Sequence, residues 1–337
     1  MILSLPLKFW IIVGGFLMKT EQSFFSRHRL QVSVMLVFLG VLVLFIVGSP
    51  QTFLSPNIYY AFMSNIPFFG ILALSLTLVV ICGEMDLSFP SIMGFAGYVF
   101  TVAFHGTQSV GLALLISVLV GLGAGLMNGL LIVKLDLPSL VVTIGTQFFW
   151  AGVTQVLSGG LGKTLVPTKA SPLYPVLVGR IGGKLPAQML WMAAIAFILW
   201  LILNHHRFGA HIYFTGDNPQ SARVMGVNVD RVRMFVFTQM GGFAAFAGVL
   251  ASLEVVYFWP TLGQGYMLKT MAAVFLGGTP VTGGVGTIFG TFMGSIIIGM
   301  LEAGIIAMGM TGFWTQLVYG LIIVVSVAMY SVMGRRK

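Results

Sequence analysis

The chain is 337 residues long, 58% hydrophobic and only 7% charged, with a mean hydropathy of +1.01. A soluble domain carries roughly a quarter charged residues, so this composition excludes one. The 17 Lys and Arg against 8 Asp and Glu give a formal charge of +9, too dispersed for a nucleic-acid-binding face and suited to orienting a protein in a lipid bilayer.

Residues 1–29 form an N-terminal segment. Its first 18 residues are apolar, but Lys8 interrupts them and Lys19, Arg27 and Arg29 follow, the reverse of a secretory signal. Two readings stand: an interfacial segment, or an over-extended reading frame whose start is Met18. A transmembrane helix needs about 20 mainly apolar residues. Such runs lie at 30–48, 58–82, 109–133, 138–158, 188–204, 233–258, 284–308 and 314–333, with two shorter, interrupted ones at 91–104 and 267–282. The prediction is an all-α, polytopic membrane protein of about ten transmembrane helices in a single domain, 30–333, with a long central cytoplasmic loop at 205–232 and a basic tail at 334–337. On this path Lys19, Arg27, Arg29, Lys134, Arg207, Arg223, Arg231, Arg233, Arg335, Arg336 and Lys337 share one side. Lys and Arg collect in cytoplasmic loops, so that side is the cytoplasm and holds both termini.

After the second span comes Cys82-Gly83-Glu84-Met85-Asp86-Leu87-Ser88. Asp86 or Ser88 is placed to cap the next helix, offering an oxygen to backbone N–H groups that the break leaves unpaired. Substrate or ion contact is the other role open to them. A single cysteine, Cys82, leaves no disulfide, Cys-based zinc or iron–sulfur site, and no metal is expected. His105 reads as a loop-end residue.

Gly121, Gly125 and Gly129 recur at every fourth position, as do Gly286, Gly290 and Gly294 later, and both sets read as small-residue faces for close helix packing. Each set follows one of the short spans, and the second lies five spans along from the first, an odd number that reverses direction, so the halves are two inverted pseudo-repeats with short broken helices. That arrangement points to a transport pathway near the bilayer centre. The outer loop 159–187 disobeys the charge rule, holding Lys163, Lys169, Arg180 and Lys184 and no acid. Within it, Gly162-Lys163-Thr164 is no P-loop, because Leu157 stands where the pattern needs glycine. Hydrolase motifs such as Gly-x-Ser-x-Gly and His-Glu-x-x-His are also missing, so no enzyme and no cofactor in this chain are expected. Glu254, Lys269 and Glu302 fall toward the outer ends of successive spans, and Lys269 is expected to neutralise Glu254 or Glu302. In the central loop, Asp217 or Asn218 before Pro219 opens a short helix that Gly226 ends.

Several phrases together resemble the membrane subunit of the ribose-type family of bacterial sugar ABC importers, over most of residues 55–333. They are residues 83–88, similar to the family's Gly-Gly-Ile-Asp-Leu-Ser; the loop 216–227; Gly263-Gln264-Gly265-Tyr266; Gly277-Gly278-Thr279; and residues 283–291. The resemblance implies a type-II-importer-like fold in the bacterial inner membrane. It makes Asp86, Ser88, Gly277, Gly278, Gly283, Gly284, Gly286 and Gly290 a structural motif. It also implies a coupling helix, with Asp217, Asn218, Pro219, Ala222, Arg223 and Gly226, seated on a cytoplasmic ATPase subunit that binds the ATP. A second permease copy or a paralogue is implied, and so is a periplasmic binding protein, for which Lys163, Lys169, Arg180 and Lys184 are docking candidates.

Glu84 replaces a family glycine, and Met267-Leu268-Lys269 stands where the family has Glu-Leu-Asp, which keeps polyols, modified sugars and other sugar-like cargo open. Sugar recognition uses aromatic faces and planar amides in an apolar cavity, and Asn128, Gln147, Trp150, Gln264 and Trp314 are the pathway candidates. The competing reading is an ion-coupled secondary transporter, in which Glu254 and Glu302 carry the ion.

Overall fold

The computed structural model describes residues 29–334; the N-terminal segment with its two readings, apart from Arg29, and the basic Arg335, Arg336 and Lys337 lie outside them. The chain enters through α1 (Arg29–Gly48), a single turn α2 (Pro50–Phe53) and the long α3 (Pro56–Ile81), which starts where Ser55 accepts a bond from Asn57 N. Then follow α4 (Phe89–Thr107), α5 (Val110–Leu135) and α6 (Ser139–Ser158). An irregular stretch holds β1 (Lys163–Thr164), α7 (Leu173–Val178) and the hairpin of β2 (Arg180–Ile181) and β3 (Leu185–Pro186). The second part runs α8 (Ala187–His205), α9 (Arg207–Asp217), α10 (Pro219–Val224), α11 (Val229–Val255), β4 (Tyr257–Phe258), α12 (Tyr266–Leu276), α13 (Ile288–Ala307) and α14 (Phe313–Gly334).

Among the described residues, seven helices, α1, α3, α5, α6, α8, α11 and α13, are long and apolar enough to cross a membrane by length and composition. This is a multi-pass membrane protein. The remaining predicted spans correspond to α4, α12 and α14. Helix α4 runs unbroken for 19 residues, longer than the sequence pattern indicates, because the interruption sits ahead of it at residues 83–88. Helix α12 is short, 11 residues, and stops at Gly277, where a second irregular stretch leads to α13.

The centre of the bundle is α3 and α11, whose membrane windows are 89% and 72% buried against 11% for α1. A helix that is apolar on every face is stable only when protein or lipid surrounds it. Apolar burial does not drive helices together in lipid, so close backbone approach and interhelical hydrogen bonds do. Both are present. Gly121 and Gly125 of α5 lie so close to α11 that a Cβ on either would overlap the carbonyl of Gly241 or Phe237, and a Cβ on Gly129 would press on the backbone of Met234. Ser75 Oγ donates to Gln239 Oε1 at 2.8 Å, tying α3 to α11, and Thr77 and Thr291 hydroxyls meet at 2.7 Å, tying α3 to α13. Such bonds contribute about 1 kcal/mol each.

The second glycine set departs from the expected ladder. Gly290 and Gly294 pack against Gly277 and Ala273 of the α12 end, but Gly286 precedes α13, with φ +155 beside Thr279. Thr287 caps α13 by accepting from Gly290 N at 3.0 Å. The ladder therefore ends at the cap, because the helix has not yet begun at Gly286.

Strand β1 pairs antiparallel with β4, Lys163 opposite Phe258 and Thr164 opposite Tyr257. This fastens the 159–187 stretch to the segment that follows α11. Tyr174 Oη adds a bond to Leu253 O at 3.3 Å.

Candidate functional site

The break before α4 is held by a small polar cluster. Gly83 takes φ +80, a conformation open to glycine without a Cβ penalty, and turns the chain out of α3. Asp86 Oδ1 then accepts from Ser88 N at 2.7 Å and from Ser88 Oγ at 2.6 Å. Asp86 is thus the residue that serves the backbone here, while Ser88, at the N-cap position, makes no cap bond of its own. Asn128 of α5 donates through Nδ2 to Ser88 Oγ at 2.7 Å and is fully buried. Its amide N–H thus braces the break, and its Oδ1 is buried with no hydrogen-bond partner among the described residues. Met85 N donates to Ser139 Oγ at 3.1 Å, which attaches the same break to the start of α6.

Glu84 faces Arg233 of α11, with Nε 2.6 Å from Oε1, both side chains mostly buried. Three glycine-bearing segments meet beside this pair. Gly284 N donates to Ile81 O at 2.9 Å, a Cβ on Gly283 would press on Gly83, and a Cβ on Gly216 would overlap Ile81 O and crowd Gly284 N. Tyr213 Oη donates to Gly286 O at 2.8 Å, and burial pushes its phenol pKa up to about 12. The end of α9, the break after α3 and the stretch before α13 thus touch through main chain.

From this junction the chain passes into α10. Asn218 is the N-cap, accepting from Ser221 N at 2.9 Å, so of Asp217 and Asn218 the second starts the helix, with Pro219 at its first position. Gly226, with φ +83, ends it. Ala222 is buried and seats the helix against the body. Arg223 is exposed but not a free cation, because Asp230 accepts from it at 3.0 Å. The exposed surface, which also carries Gln220, Ser221 and Arg223, ends in an apolar tip: Val224 is 90% exposed and Met225 61%. Sequence reading missed these two residues and also α9. An apolar pair closing a capped two-turn helix was the available signal.

A cleft of about 420 Å³ lies between α4, α6 and the segment before α12. Gln147 and Gln264 both line it, together with Ser91, Gln155 and Thr261. The floor is tight: a Cβ on Gly94 would overlap Leu262 O, and Gly263, with φ +97, lies against Pro90 O. Trp150 does not line this cleft; its ring stacks on Phe95 at 4.7 Å and its indole N–H is buried without a partner among the described residues. Trp314 lies on α14, half exposed, and does not line this cleft either. The structure thus brings together two of the five predicted pathway residues.

At the far end of α11, Lys269 pairs with Glu302 at 3.1 Å, and Tyr319 Oη donates to the same carboxylate at 3.3 Å. Glu254 is taken by Arg180 and by Gln188 Nε2 at 3.1 Å. Arg180, predicted as a docking residue, is therefore held in an ion pair, whereas Lys163, Lys169 and Lys184 are exposed and have no ion-pair partner among the described residues. His105 sits in the last turn of α4, its Nδ1 2.9 Å from Thr101 O. Cys82 is buried as the C-cap of α3.

The chain matches a family model described as branched-chain amino acid transport system / permease component over residues 57–327. It is similar to the autoinducer 2 import system permease protein LsrC of Yersinia enterocolitica serotype O:8 / biotype 1B, 32% identical over 256 residues, which is 75% of this chain and 69% of that protein. The protein of the same name from Yersinia pseudotuberculosis serotype O:1b is 31% identical over 253 residues, 75% of this chain and 71% of that protein. No solved structure matches.

Proposed function

From the premise that the chain belongs to the branched-chain amino acid transport system / permease component family, we propose a specific division of labour for its parts. It is the permease subunit of an ABC importer and not itself an enzyme; ATP is handled by a partner ATPase. In the proposal, α10 and its exposed Val224 and Met225 seat in a groove of that ATPase. Ten spans, α4, α12 and α14 included, form one domain over 30–333 in the bacterial inner membrane, both termini in the cytoplasm. The two halves are inverted repeats that rock about the breaks at 83–88 and 277–287. A second copy or a paralogue completes the pathway, and a periplasmic binding protein delivers cargo to Lys163, Lys169 and Lys184. Cargo is a sugar or sugar-like solute, passing Gln147 and Gln264; autoinducer 2, named in the relatives, is the first to try.

The observation that carries this reading is the convergence of residues 81–84, 213–217 and 283–286 directly beside α10. Both breaks meet the end of α9 at Gly216 through backbone, and α10 follows directly on α9, so a push on α10 is passed to each break through Gly216. The test is reconstitution in proteoliposomes with the ATPase encoded beside the gene, with residues 217–226 intact or scrambled and folding followed by thermal melting. Control of ATP hydrolysis by the intact chain, lost in the folded scramble, is the expected result. Solute movement down an ion gradient with no response to any ATPase overturns it in favour of a secondary transporter.

A further inference from the structure

At the end of α11 opposite the coupling loop, a second cleft of about 370 Å³ opens between α3, α11, α12 and α13. It is separate from the one lined by Gln147 and Gln264. Asn65, Glu254, Trp259, Tyr266, Lys269 and Glu302 stand in its wall.

The charges here are already matched. Glu254 is held by Arg180 and Gln188, and Glu302 by Lys269 and Tyr319. An anion or cation entering would have to displace one member of a pair or remain uncompensated, and either is costly at this depth. The aromatic cage that a ligand ammonium would seek is filled by the chain itself, since Lys269 Nζ lies 5.2 Å from the Tyr266 ring centroid and 5.7 Å from that of Phe69. What the wall does offer is hydrogen bonding. The Asn65 amide and the Trp259 indole N–H have no hydrogen-bond partner among the described residues. Paired carboxylates and an ammonium keep further acceptor and donor sites beyond those used on each other.

We propose that this cleft binds a neutral, polyhydroxylated small molecule, with hydroxyls on Asn65, Lys269 and Glu302 and a C–H face against Trp259. A mostly apolar concavity with a few fixed polar groups and aromatic rings is the general form of such sites. That the ligand is cargo rests on the permease reading above; that it binds does not require the ATPase.

The test is titration of the full chain alone in lipid nanodiscs, by calorimetry and tryptophan fluorescence. The neutral probes are ribose and ribitol, and the charged ones are ribonate and glucosamine. Saturable binding of the neutral probes is expected, weakened at least about tenfold by Asn65→Ala and by Trp259→Leu in proteins whose melting is unchanged. The double variant Lys269→Glu with Glu302→Lys keeps the pairing but exchanges the donor and acceptor positions, and should weaken the binding in a protein whose melting is unchanged. Absence of saturable neutral binding, equal or tighter binding of a charged probe, or loss in Gln264→Ala with none in Asn65→Ala, each overturns the proposal. A chain that controls its ATPase yet binds no polyol loses only this inference; one that binds polyol without answering an ATPase loses only the importer reading.

Discussion

Arg233 Nε lies 2.6 Å from Glu84 Oε1, joining the base of α11 to the break that precedes α4. Few charges are present in this chain, and these two are mostly buried, so the attraction between them offsets part of their desolvation cost. Removing one partner leaves a buried charge alone. Glu84→Ala is therefore expected to destabilise the fold by about 3 kcal/mol, and Glu84→Arg with Arg233→Glu to recover much of that. Thermal melting in nanodiscs reads both; full stability in the single variant would show that the pair carries no weight.

Gly216 provides the closest passage at the junction, since a Cβ there overlaps Ile81 O. Gly216→Ala should cost about 1–3 kcal/mol through forced separation of the segments and should weaken control of ATP hydrolysis. Gly145→Ala, where nothing lies within 4 Å, is the matched control and should change neither. Equal behaviour of the two variants in the ATPase assay would remove the junction from the coupling route.

Val224 and Met225 project from a seated helix, so their replacement has little to disturb within the chain. Val224→Asp with Met225→Asp should leave melting within about 0.5 kcal/mol of the parent while co-purification with the ATPase falls. Arg223→Ala removes an exposed pair with Asp230, worth roughly 0–1 kcal/mol, and should matter much less than the apolar pair. A larger loss of ATPase binding from Arg223→Ala would assign the contact to charge.

Two exchanges test the pairing at the opposite end. Lys269→Glu with Glu302→Lys, and Arg180→Glu with Glu254→Arg, should each restore folding lost in their single variants. Exchanging Lys269 with Glu254 should not, because Glu254 already has Arg180 and Gln188. Rescue by that third exchange would contradict the geometry.

Neutralising Lys163, Lys169 and Lys184 together should raise the concentration of binding protein needed for transport and flatten its salt dependence, because exposed charges steer association at low ionic strength. Adding Arg180 to the set should bring a folding defect and little more steering. Unchanged salt dependence in the triple variant would dismiss the loop as a docking surface.

Helix positions were legible in the sequence because a bilayer demands apolar length, and α3, α5, α6, α8, α11 and α13 lie on the predicted runs. Partner choice was not. Lys269 had two acids at similar depth, and the decision came from Arg180, 74 residues from Glu254 in a loop whose path hydropathy does not constrain. Asn128 carries an amide that suits either a sugar or a serine, and only the fold brings Ser88 to it. Helix α9 escaped notice because His206 caps it, accepting from Phe208 N at 3.1 Å, and histidine is not a usual start signal. Of the candidate site, the cap, proline and glycine of α10 were readable one residue at a time. Its apolar tip depended on which face Ala222 buries.

The joining of β1 to β4 is made by peptide groups, Lys163 opposite Phe258 and Thr164 opposite Tyr257. Main-chain bonds do not depend on which side chains the strands carry. The 159–187 stretch can therefore change exposed residues such as Lys163, Lys169 and Lys184, though not Arg180, while staying attached to the same point. Substitution of exposed residues there would leave the anchorage intact, so, if the proposed docking holds, the choice of binding protein can drift while the helices that hold the stretch stay as they are.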